Sequence, residues 1–131
     1  MNKTIIKKHK NLQPLFILFK DIGIEDITIK KYPTRINLYT FNRTVDCVAS
    51  NDAHRLYKSL IESIRDIRPV VIDFSRIQIV TPSFIEESIV KCYFKVNWKF
   101  VDKLLTIKNI ENPEIERVIN DAMKKCVANT A

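Results

Sequence analysis

The stretch Val70-Val71-Ile72-Asp73-Phe74-Ser75-Arg76-Ile77-Gln78-Ile79-Val80-Thr81-Pro82-Ser83-Phe84-Ile85-Glu86-Glu87 decides the fold. Its first five residues are apolar except for one aspartate, the pattern of a central parallel strand covered on both faces. Pro69, just before it, breaks any preceding helix. Downstream, Phe84, Ile85, Ser88, Ile89, Cys92, Tyr93 and Val96 recur at helical spacing, so a helix opens near Pro82. Two caps compete for its first turn: Thr81 with Pro82 at the first helical position, or Ser83 with Glu86 three residues on. Strand, bend and helix together deliver residues 79–83 to the surface.

Upstream, Ala53, Leu56, Tyr57, Leu60, Ile61, Ile64 and Ile67 form an apolar stripe of period 3.6, predicting a helix over residues 50–68. Ser50 is its expected cap, Asp52 sits in its first turn, and Arg65 and Arg68 complement the dipole at its end. Residues 26–30 and 35–41 alternate with period two around Pro33 and predict two strands joined by a turn. The apolar run of residues 12–19 reads as a short helix or a buried strand, and Gly23 offers a stop after it.

Further along, residues 104–107 are a short strand candidate. Asn112-Pro113 opens another helix, with Ile115, Val118, Ile119, Ala122, Met123 and Cys126 on one stripe. Trp98 and Phe100 alternate with Asn97 and Lys99, as in a half-buried strand or loop, where an exposed Trp would mark an interface. The order of elements predicts an α/β fold with a mixed, partly parallel sheet of about four to five strands and three main helices. Residues 1–23 form a basic and apolar N-terminal extension to a domain over 24–131.

Composition narrows the chemistry. The chain has 131 residues and a single glycine, Gly23. Phosphate-cradling loops and nucleophile elbows need several glycines, so nucleotide binding by such a loop is excluded. Cys47, Cys92 and Cys126 lie far apart without C-x-x-C spacing and read as reduced thiols. No apolar run approaches the roughly 20 residues that span a bilayer, and a cytoplasmic location is expected. The formal charge is +7, concentrated towards the beginning. There Lys3, Lys7, Lys8 and Lys10 are candidate anion-binding residues, although a solvated cationic end explains them equally simply.

The quoted block resembles the signature of STAS domains, and most closely a STAS-like subgroup of bacterial and phage proteins related to anti-sigma-factor antagonists. The matching positions are Asp73-Phe74 at the strand end, Ser83-Phe84 at the helix start, and the acidic pair Glu86-Glu87. The resemblance covers about residues 46–96; the flanking parts agree only in the order of elements. It implies a non-catalytic signalling module that switches between protein partners, one of them an ATPase of the histidine-kinase superfamily. In those relatives a serine at the position of Ser83 is phosphorylated. Here Phe84, Ile85, Glu86 and Glu87 replace the small residues that follow it, and two carboxylates in one turn oppose a phosphate. A plain capping role for Ser83 is the simpler reading.

Other constellations are weak. His9 and His54 have no carboxylate or cysteine at metal-site or triad spacing. Asp73 stands where ligands of open α/β sheets gather, but an aspartate there more often caps its own turn. Glu86 and Glu87 point about 100° apart on a helix, which denies them an acid/base partnership; helix-dipole compensation and a pair between Glu87 and Lys91 account for them. No enzyme activity, metal or cofactor is expected. The candidate partner-binding residues are Asp73, Thr81, Ser83, Glu86, Glu87 and Lys91. The alternative is a nucleic-acid or anionic-surface binder acting through the basic beginning. Oligomeric state, a homodimer included, is left open.

Overall fold

The computed structural model describes residues 28–130, with side chains up to 125. Lys3, Lys7, Lys8, Lys10, His9, the apolar run 12–19, Gly23, the first half of the expected strand 26–30 and the side chain of Cys126 lie outside the described residues. Residues 28–30 carry no regular structure.

Five strands and the helices between them alternate along the described chain. They are β1 (Thr34–Asn37), α1 (Leu38–Asn42), β2 (Asp46–Cys47), α2 (Ser50–Arg65), β3 (Val70–Asp73), β4 (Ile79–Val80), α3 (Pro82–Ile85), a π-helical turn (Glu86–Val90), α4 (Lys91–Lys95), α5 (Trp98–Leu104), β5 (Leu105–Lys108) and α6 (Pro113–Thr130). The α/β class stands. The strands divide into two sheets, ordered β1-β3-β5 and β2-β4, and every pairing is parallel. Parallel neighbours need a crossover rather than a hairpin, which is why each helix or pair of helices falls between strands of the same sheet.

The register stacks Ile36 beside Ile72 and Ile72 beside Ile107. Those three are buried, as are Val70 and Leu105 on the same face. Helix α2 packs there, held at one point by the Thr34 and Ser63 hydroxyls 2.8 Å apart. The opposite row is less covered: Arg35 is exposed, and Val71 and Thr106 are half-buried. β3 is therefore sealed fully on one face, not on both as its apolar run predicts. Around it, Leu56, Leu60, Ile64, Phe74, Phe84, Ile85, Ile89, Tyr93 and Trp98 make one continuous core. Each such side chain contributes roughly 1.5–3 kcal/mol by leaving water.

Local chemistry explains three departures from the sequence pattern. Residues 35–41 do not continue as a strand, because the Asn37 side chain accepts a hydrogen bond from the Thr40 backbone N–H at 3.0 Å and caps α1. Likewise Asn97 accepts from the N–H groups of Lys99 and Phe100 and starts α5, turning the expected strand or loop into a helix. Helix α2 stops at Arg65 rather than Arg68. There Ile67 takes a left-handed φ of 58°, while its N–H reaches Ile64 O and the N–H of Arg68 reaches Ser63 O. These are the two bonds of a Schellman stop.

Candidate functional site

The bend at residues 81–83 is built by its neighbours. Thr81 N–H donates to Cys47 O at 3.1 Å, extending the β2-β4 ladder by one step. Its hydroxyl then accepts from Phe84 N–H at 3.3 Å, and Pro82 fills the first helical position. Thr81 is thus the cap of α3. Ser83 is not; it stands exposed with its Oγ 3.3 Å from the Thr81 hydroxyl.

Alternation along β2 and β4 turns Cys47 and Val80 inward, both buried, and turns Ile79 and Val48 outward. Ile79 is 51% exposed and Val48 46% exposed. Two bare aliphatic side chains therefore flank the bend, beside exposed Ala49, Ser50, Pro82 and Ser83. Val48 and its neighbours were missed in the sequence; the alternation of Asp46, Cys47 and Val48 is the signal that could have found them.

Ser50 does not cap α2 as expected, since Ala49 holds the N-cap position and offers no side-chain bond. The Ser50 hydroxyl instead donates to Glu87 Oε1 at 2.9 Å, tying the start of α2 to the helical stretch after the bend. The expected pair between Glu87 and Lys91 does not form. These residues meet in and just after the π-helical turn, whose i→i+5 bonds shift residues four apart off a common face. A cause of that widened turn is Ser88, buried, whose hydroxyl takes the Phe84 carbonyl at 2.6 Å and competes with the backbone ladder. Lys91 instead holds its ammonium 4.5 Å from the centre of the Tyr57 ring, and Glu86 pairs with Lys125 at 3.5 Å. The two glutamates do diverge.

Asp73 belongs elsewhere. Its Oδ1 accepts from Ser75 N–H at 2.9 Å, Ser75 Oγ at 2.6 Å and Asn109 Nδ2 at 3.0 Å, and so closes the turn after β3. Partial burial acts to raise its pKa, but these donors together with Lys108 outweigh it and hold the carboxyl below its ordinary value of 3.8. Burial pushes the Cys47 and Cys92 thiols up to about 12, so both are inert packing residues. Trp98 is fully buried and marks no interface. Among the described residues, no cluster of His, Cys, Asp and Glu could hold a metal ion, and no helix is long and apolar enough to cross a membrane.

The whole is a parallel α/β domain with one corner where strand ends and helix starts expose small aliphatic and hydroxyl groups. Residues 52–114 match the family model described as a STAS-like domain of unknown function, and that part of the chain is a STAS-like domain. The match takes in α2, the quoted strand–bend–helix block and β5. No curated protein and no solved structure matches the chain.

Proposed function

We propose that the domain is a non-catalytic protein-binding module of signalling, docking its partner at the corner formed by Val48, Ser50, Ile79, Thr81 and Ser83. The observation that carries this is the exposure of Ile79 and Val48 on either side of the bend. Aliphatic side chains left bare at an ordered corner gain free energy when a partner covers them, roughly 25 cal/mol for each Å² removed from water. Resemblance to anti-sigma-factor antagonists supplies the partner class, an ATPase of the histidine-kinase superfamily. Ser83, exposed within the corner, is where a phosphate would add charge and block docking. Glu87, tied to Ser50 across the rim, supports the local geometry.

The test is affinity capture from the native host with wild type, Ile79→Asp, Ser83→Glu and Glu87→Lys baits. Retention of a histidine-kinase-type ATPase by wild type and its loss with Ile79→Asp and Ser83→Glu is the expected result. Equal retention by all four baits, or none by wild type, refutes the reading.

A further inference from the structure

A groove of about 400 Å³ runs along the outward stripe of α2, lined by His54, Tyr57, Lys58, Ile61, Glu62 and Arg65. At about 1.5 Å per residue the stripe is roughly 16 Å long, a shape for an elongated occupant rather than a compact one. Its floor is apolar, with Ile61 buried and Tyr57 half-buried, while the other four residues are exposed along the rim. The Tyr57 ring is set by the His54 ring stacked at 6.5 Å and by the Lys91 ammonium over its face.

The charges around this floor are unusual for the molecule. Elsewhere exposed cations find carboxylates: Arg55 meets Asp52, Lys30 and Arg68 meet Asp66, and Arg117 meets Glu114 and Asp121. Lys58, Arg65 and Lys91 have no carboxylate within ion-pair distance among the described residues. Three cations without counter-ions surround an apolar strip, so the complementary ligand is anionic at its ends and apolar in its middle.

We infer that the groove binds an acidic peptide segment of a protein partner. One leucine or aromatic side chain of the segment rests on Ile61 and Tyr57, and flanking carboxylates meet Lys58 and Arg65. Glu62 decides between peptide and nucleic acid. It lies between the two cations, about one helical turn from each, and an unbroken line of phosphates would be driven against it. A peptide can set an amide or a lysine there instead. The surface is distinct from the corner at residues 79–83 and does not rest on the function proposed for that corner.

The experiment selects phage-displayed random 12-residue peptides on the 131-residue protein, then titrates the enriched peptides, fluorescein-labelled, by anisotropy. Enriched sequences are expected to share a Leu, Phe or Trp flanked by Asp or Glu. Their affinity falls about tenfold or more in Lys58→Glu/Arg65→Glu, falls with rising salt, and is unchanged in Ile79→Asp. The milder Lys58→Gln/Arg65→Gln variant repeats the loss if charge reversal disturbs folding. No enrichment, enrichment of peptides without acidic residues, or equal binding by both double variants overturns the inference. So does oligo-dT of ten nucleotides binding in place of the acidic peptides and lost in the same variants.

Discussion

Removing the Thr81 hydroxyl separates the two caps that compete in the sequence. In Thr81→Ala, Phe84 N–H loses its side-chain acceptor while Ser83 stays in place. Loss of an N-cap costs about 0.5–2 kcal/mol. The bond here is 3.3 Å, longer than the usual 2.9–3.0 Å, which puts the cost in the lower half, about 0.5–1 kcal/mol. With a urea slope of about 1.5 kcal/mol/M, the unfolding midpoint falls by roughly 0.3–0.7 M. Thr81→Ser keeps the acceptor and most of the stability, and Ser83→Ala, which removes an exposed hydroxyl outside the cap, moves the midpoint by less than about 0.2 M. Urea titrations followed by far-UV circular dichroism measure all three. A midpoint in Ser83→Ala as low as in Thr81→Ala refutes the capping assignment.

Three further outcomes test the core and the turn. Trp98→Ala costs about 3–5 kcal/mol because the ring is fully buried, whereas Phe94→Ala, at a ring 48% exposed, costs under about 1 kcal/mol; thermal melts compare them. Asp73→Asn lowers stability at pH 7, and its deficit relative to wild type shrinks as pH falls below 3.8. The depressed folded pKa makes the carboxylate's contribution complete at neutral pH and lost on protonation, so urea midpoints at pH 7 and pH 3 give the sign. In a Cys126→Ser background, Cys47 and Cys92 stay unreactive to a thiol reagent at pH 8 until denaturant is added, because burial keeps both protonated; prompt labelling of either in the native protein contradicts that.

The elements that could be read from the sequence are those whose pattern needs no distant partner. The stripe of α2, the apolar run of β3 and the Asn112-Pro113 opening of α6 are local, and so is the closure of Asp73 on Ser75 two residues away. Misreadings arose where period two and helix overlap. Trp98 and Phe100 alternate like a strand, yet Trp98, Val101 and Leu104, three apart and all buried, carry the helical spacing that decides. The division into two sheets left no mark in residue order. At the site, the bend was legible because Thr81-Pro82 is a local start signal. The bond between Ser50 and Glu87 was not, since it joins residues 37 apart through a widened turn that no periodicity announces.

Each strand pairs with the next but one, never with its immediate successor: β1 with β3, β2 with β4, β3 with β5. During synthesis this means that Thr34 waits for Val70, and Val70 in turn for Leu105, before either edge is satisfied. A nascent chain halted before β5 leaves the apolar centre of the sheet with an open flank. Such a fragment is the form most prone to stick to its neighbours on the ribosome.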